Sequence, residues 1–308
     1  MTTPPKQPLY DFEAREREDE NAASGEYDRL YHGFPIHEYW DEDYVAFVAT
    51  EWSEGDRVLD LGCGPASLWP YWQHMPATSR LVGVDISPGM IEQASRKHPE
   101  AEFSVGRAHE LPFEDGSFDV VVASAVLHHI PDEHLPAALD EIVRVLDEHG
   151  RVVGREPKHG GIAATPGWLS GSVMSFRHLV YRLTHSREFP EPQLGDHHHV
   201  LDPATFLPMV EARLKLTRFE ERFAFSNYVS RVRDPRIASF AASLDGRLES
   251  RDGTVFYYCA HKNYYTAADV ASAAELARRQ ETEGSMTDEE FLAYLQAAAS
   301  EIERMFRP

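Results

Sequence analysis

The pattern of apolar and polar positions divides the chain into successive stretches. Residues 1–25 are polar and Pro-rich, and the run from Glu13 to Glu20 (Glu-Ala-Arg-Glu-Arg-Glu-Asp-Glu) has no apolar face. Such a run predicts a solvated arm. From Tyr27 to Trp52 the composition changes. Tyr27, Leu30, Tyr31, Phe34, Ile36, Tyr39, Trp40, Tyr44, Phe47, Val48 and Trp52 recur mostly at helical spacings. They predict helix packed on the core, or a lid whose aromatics close over a ligand.

Strand and helix patterns then alternate. Apolar runs predict strands over 57–61, 79–85, 102–105, 118–124 and 150–154. The fourth is nearly continuous in apolar residues, as expected of a strand covered on both faces. Helices are expected over 87–97 and 134–147. Ser87 is placed to cap the first, and Pro88 suits its opening position. This rhythm builds βαβ units, a parallel sheet and right-handed crossovers.

After Glu156 the rhythm stops. Residues 157–171 read as a loop, 172–184 as a short helix, and 190–199 as a loop carrying His197, His198 and His199. Asp202 opens a further helix. Two late strands are expected near 216–228 and 254–261, with helix between them. Residues 264–308 form a tail in which Thr287-Asp-Glu-Glu290 is a capping box before Phe291, Leu292, Leu295, Ile302 and Phe306. The expected organisation is an arm and lid over 1–50, a core domain over 51–262 with an insertion at 157–200, and a helical extension over 263–308.

Charge narrows the function. Thirty Lys and Arg against 51 Asp and Glu give −21. Such a chain makes no basic footprint for nucleic acid and disfavours anionic membranes. No apolar run reaches transmembrane length, and the polar start lacks the apolar region of a signal peptide. Two cysteines, Cys63 and Cys259, make no disulfide framework and no paired zinc spacing. A cytoplasmic protein without a metal is the expectation. Asp196 beside the three histidines has metal-binding chemistry, but adjacent residues rarely all face one ion, so a plain loop is expected there.

The most informative segment is Val58-Leu-Asp-Leu-Gly-Cys-Gly64. Glycines directly after a strand let the backbone turn sharply and approach a ligand. Asp60 lies two residues before the first of them, and Asp85 closes the next strand, where a ribose diol is commonly held. The turn continues as Pro65-Ala66-Ser67 rather than to a third glycine, and an acid so near would repel a pyrophosphate. A nucleoside with a cationic end suits it better.

These residues carry a resemblance. Val58–Gly64 resembles motif I of the class I S-adenosylmethionine-dependent methyltransferases, and Val82-Gly-Val-Asp-Ile-Ser87 with Met90 resembles their second motif. Leu111–Ser124 followed by Val126–Asp132 is similar to their fourth strand and its loop. The branch it resembles is the small-molecule one that includes ubiquinone- and menaquinone-biosynthesis enzymes. The resemblance implies a Rossmann-like α/β fold, a doubly wound, mostly parallel seven-stranded sheet with a helical N-terminal lid, an insertion after strand five and a helical C-terminal extension. It implies S-adenosyl-L-methionine as cofactor and a small-molecule acceptor.

By the same resemblance, Gly62, Cys63 and Gly64 wrap the methionyl part, and Asp60 orders its amino group. Asp85 takes the ribose hydroxyls, and Ile86 and Met90 pack on adenine. Ala108 and His109 sit at the adenine edge, although Arg107 stands near where relatives place an Asp. Ser124 and Leu127 lie near the methionyl end. Apart from the resemblance, Tyr27 and Tyr31 are candidates to close over the cofactor from the N-terminal segment. His128, His129, Glu156 and His159 follow the fourth and fifth strands and are the candidates for catalytic work on the acceptor. Two other readings stay open. One uses the sulfonium for cyclisation or rearrangement. The other is a non-catalytic assembly protein, supported only by the apolar stripe of the tail, which more often means a homodimer.

Overall fold

A computed structural model describes residues 34–72, 74–158, 200–223, 226, 234–248 and 253–263. The chain divides into two compact units, Met1–Lys262 and Asn263–Pro308. The sheet and its helices all belong to the first. Tyr27, Tyr31, His159, the 172–184 helix, the triple histidine and the tail lie outside the described residues.

Seven strands form one sheet: β1 (Arg57–Leu61), β2 (Arg80–Asp85), β3 (Glu102–Val105), β4 (Phe118–Ser124), β5 (Leu146–Pro157), β6 (Lys215–Arg222) and β7 (Val255–His261). Their spatial order is β3-β2-β1-β4-β5-β7-β6. The first five pair in parallel, while β7 runs antiparallel to both β5 and β6. The helices are α1 (Pro35–Ala49), α2 (Trp69–Trp72), α3 (Pro88–Lys97), α4 (Leu135–Val145), α5 (Pro203–Glu211) and α6 (Pro235–Leu248). The mostly parallel seven-stranded architecture expected from the sequence is present.

Period-two alternation sorts the strand side chains onto two faces. Leu59, Leu61, Val82, Val84, Val121, Val152 and Tyr258 pack with α4 and α5. Val58, Val120, Val122, Val153, Tyr257 and Cys259 pack with Tyr44, Phe47 and Val48 of α1 and the tryptophans of α2. Both faces are therefore covered, which explains the continuous apolar strands. α3 begins as expected, with Ser87 Oγ accepting from Met90 N at 3.2 Å.

One boundary differs from expectation. The helix expected to reach residue 147 stops at Val145, and β5 starts at once, not at Gly150. Leu146 is fully buried and pairs with Phe118, whereas the next paired residue of β5 is Arg151, opposite Val120. Residues 147–150 bulge out between those pairings. Periodicity cannot separate a buried leucine ending a helix from one opening a strand. Lys262 Nζ then donates to the carbonyls of Val143 and Leu146, both at 2.8 Å, closing the helix end. The late strand expected near 216–228 ends at Arg222, and α2 was not expected.

Candidate functional site

In a sheet of this order the chain order of the strands reverses between the parallel neighbours β1 and β4, and ligands bind beyond the carboxyl ends there. A cavity lies at that place. Its walls come from Leu61 and Gly62 after β1, Asp85 and Ile86 after β2, Gly106 to His109 after β3, and Val126, His129, Ile130, Pro131 and His134 after β4.

The glycine turn is built by close approach. Gly62 has φ +67°, and a Cβ there would stand 2.3 Å from Val126 Cγ2. Gly64 has φ +52°, but a Cβ there would meet nothing within 4 Å. Gly62 is thus needed for the fold, whereas the space beside Gly64 is open to a ligand. Ala66 keeps the left-handed conformation, at φ +59°. That geometry is strained for any residue with a Cβ, by about 1–2 kcal/mol.

Asp85 closes β2 and borders the cavity. Its Oδ2 accepts from Gly64 N at 2.9 Å and its Oδ1 from Ser87 N at 2.8 Å. One carboxylate therefore joins the glycine turn to the start of α3. Ile86, Ala108, His109 and His129 join Gly62 and Asp85 on the lining, so six of the residues singled out in the sequence meet at one cavity.

Others are placed elsewhere. Asp60 is only 3% exposed and is not among the lining residues. Its Oδ2 accepts from Trp69 Nε1 at 3.0 Å and from Trp72 Nε1 at 3.1 Å. Burial pushes its carboxyl up to about 6 against the pull of those two donors. Cys63 is buried, with its thiol pushed well above the usual range by desolvation. Met90 is 1% exposed, and Leu127 lies in the core. The Ser124 hydroxyl accepts from Arg155 Nε at 2.8 Å, and that guanidinium is paired with Asp41 at 2.7 Å.

Two of the residues singled out for catalytic work, Glu156 and His128, are not among the lining residues. Glu156 is wholly buried. It accepts from the backbone N–H of Val126 at 3.2 Å, Leu127 at 2.8 Å and His128 at 3.3 Å. The His128 ring adds a contact from Nδ1 at 2.7 Å. A buried carboxylate needs such donors. Together they fix the 3₁₀ turn Leu127–His129 that follows β4. Of the histidine pair, only His129 reaches the lining. His134, Ile130 and Pro131 line the cavity without having been singled out. Their only signal was position, within ten residues of the carboxyl end of a central strand.

The arrangement fits an adenosine with a cationic tail. It offers apolar walls for a base, a carboxylate for a diol, open space beside the glycine turn, and buried negative charge at Asp60. Comparison with known proteins agrees. The profile of a methyltransferase domain family matches residues 58–150. A protein of transposon TN4556 from Streptomyces fradiae is 43% identical over 144 residues, 45% of this chain and 41% of that one. The demethylmenaquinone methyltransferase of Listeria welshimeri is 30% identical over 169 residues, 51% of this chain and 67% of that one. A structure from Galdieria sulphuraria, described as a candidate sarcosine dimethylglycine methyltransferase, shares the fold at 14% identity. Its TM-score is 0.51, over 79% of this chain and 98% of that one.

The chain belongs to the class I S-adenosylmethionine-dependent methyltransferase family. It spans 41 to 60% of the length of the first curated relatives it matches. No helix among the described residues is long and apolar enough to cross a membrane.

Proposed function

We propose that this chain transfers a methyl group from S-adenosylmethionine to a small-molecule acceptor in the cytoplasm. The observation that carries the reading is Asp85, set at the end of β2 on the cavity wall and tied to the glycine turn through Gly64 N. The domain that does this work is assigned to residues 51–262, with the arm and lid before it and the helical extension after it.

When bound, the cofactor supplies an electrophilic methyl on a sulfonium. Asp85 holds the ribose hydroxyls. Ile86 and Ala108 flank the base, and Gly62 with Gly64 lets backbone approach the methionyl part. The apolar walls at Val126, Ile130 and Pro131 exclude water. Displacement at a methyl needs alignment above all, and holding both reactants in line supplies much of the acceleration. His129 is the lining group best suited to take an acceptor proton near neutral pH. Glu156 and His128 act one step back, by holding the turn that presents His129. Demethylmenaquinone, named by the relatives, is the first acceptor to try. The net charge of −21 argues against a nucleic acid acceptor, and the tail over 263–308 is assigned to self-association.

Titration calorimetry tests the reading. Wild-type chain binds S-adenosylmethionine, and Asp85→Ala binds it at least about 100-fold more weakly, since two charge-assisted hydrogen bonds are worth about 3 kcal/mol or more. S-adenosylhomocysteine forms when an acceptor is added. Absence of binding to wild type overturns the assignment.

A further inference from the structure

At the amino end of the parallel strands, opposite the cavity, three side chains with metal-ligating atoms converge. Cys259 and His261 stand two apart on β7, so they project to the same face. Glu51 follows α1, which packs on that face. His261 pairs with Arg151 at the amino end of the parallel part of β5, while Val255 pairs with Pro157 at the carboxyl end. The group therefore lies a full strand length from the cofactor cavity.

The distances suit a metal ion. Cys259 Sγ is 3.4 Å from His261 Nε2, and His261 Nε2 is 3.5 Å from Glu51 Oε2. All three donor atoms lie within 4.8 Å of one another. Zinc binds thiolate at about 2.3 Å and imidazole or carboxylate at about 2.0–2.2 Å, so at tetrahedral angles its donors stand about 3.4–3.6 Å apart. The cysteine is wholly buried, while the His261 and Glu51 side chains are 17% and 19% exposed. One side of the group is thus closed by the core, and the other is open for an ion and a water to enter. The neighbouring guanidinium of Arg151 is engaged elsewhere. It donates to the Glu51 backbone carbonyl and to Asp56 Oδ2, each at 2.6 Å.

We propose that Glu51, Cys259 and His261 bind one divalent cation of the zinc class, with water in the fourth position. A thiolate with an imidazole selects a borderline-soft ion over magnesium or calcium. On binding, the sulfur–metal bond replaces the sulfur–hydrogen bond and the thiol proton leaves to solvent. The ion ties the segment after α1 to β7, so its role is to brace the fold.

Cobalt(II) is the probe, because only a cysteine ligand gives thiolate-to-cobalt charge-transfer absorption in the near ultraviolet. Full-length chain, stripped with chelator, is titrated with cobalt and then with zinc as competitor. One equivalent of cobalt should raise the band, zinc should abolish it, and zinc should raise Tm. Cys259→Ser should lose the band while Cys63→Ser keeps it. His261→Gln should weaken binding about 100-fold, because one of only three protein ligands is lost. This partly exposed substitution keeps the test decisive where Cys259→Ser fails to fold. No band in wild type, or a band that survives Cys259→Ser, overturns the proposal. In that case the three groups form only a hydrogen-bonded chain.

Discussion

Replacing Asp60 with asparagine separates the cost of a buried charge from the hydrogen bonds around it. Burial lifts the Asp60 carboxyl from 3.8 to about 6, against the opposing pull of the indole donors of Trp72 and Trp69. Between those values the folded chain keeps a proton that the unfolded chain has released. The unfolded state then binds fewer protons than the native one, so stability falls as pH rises. The contribution is full below 3.8 and gone above about 6. At about 1.4 kcal/mol per pH unit this amounts to roughly 3 kcal/mol. An asparagine carbonyl keeps an acceptor for both indoles, now 3.0 and 3.1 Å from Oδ2, and brings no charge to desolvate. Urea denaturation at a series of pH values reads the outcome. Asp60→Asn should match wild type to within about 1 kcal/mol near pH 4 and exceed it by roughly 3 kcal/mol above pH 7. By the proposed function, the same variant binds the cationic cofactor about tenfold more weakly at pH 7.5, because a charge behind the glycine turn has gone. A stability difference that is constant from pH 4 to pH 8 would refute the assignment of the ionisation cost to Asp60.

Two other substitutions probe how the cavity is held. Gly62→Ala drives a methyl into Val126 at 2.3 Å, which should destabilise by about 1–3 kcal/mol in a thermal melt. Gly64→Ala, whose new methyl meets nothing within 4 Å, should lower stability less and S-adenosylmethionine affinity more; equal effects of the two on both readouts would contradict the division of labour between these glycines. Glu156→Gln turns a donor toward the His128 backbone N–H, now 3.3 Å from the carboxylate. It should lower stability by about 2–4 kcal/mol in urea, and an unchanged midpoint would show that the turn after β4 is held by other means.

What could be read from the sequence divides along physical lines. The strands were legible because each is a local run of apolar residues, and covering both faces only makes the run more continuous. The glycine turn was legible because backbone geometry selects the residue directly. Asp85 was legible because the end of a strand is a place that sequence can point to. The partners of buried acids were not. Asp60 meets the tryptophans of a four-residue helix that has no periodicity to detect. Glu156 meets a turn 28 to 30 positions earlier in the chain, brought near only by the pairing of β4 with β5. The same pairing takes Leu146 from the helix its spacing favours. In each case the deciding interaction joins separate elements, and no spacing along one element encodes it.

The three core acids also explain how so acidic a chain builds a site with strained backbone. Asp60, Asp85 and Glu156 stand at or near the carboxyl ends of β1, β2 and β5, where the sheet runs out of its own backbone partners. Each is satisfied by donors from a different place: indoles, the glycine turn with the start of α3, and the turn after β4. Next to the last two lie Ala66 at φ +59° and Ala125 at φ +54°, each held against a penalty of about 1–2 kcal/mol. Charge-assisted hydrogen bonds of about 1.5–3 kcal/mol apiece are enough to offset that strain. At Asp85 and Glu156 a carboxylate at the end of one strand thus fixes the loop that follows its neighbour. The position of the cavity walls is accordingly set by these few strand-end acids, and not by the surface charge that dominates the composition.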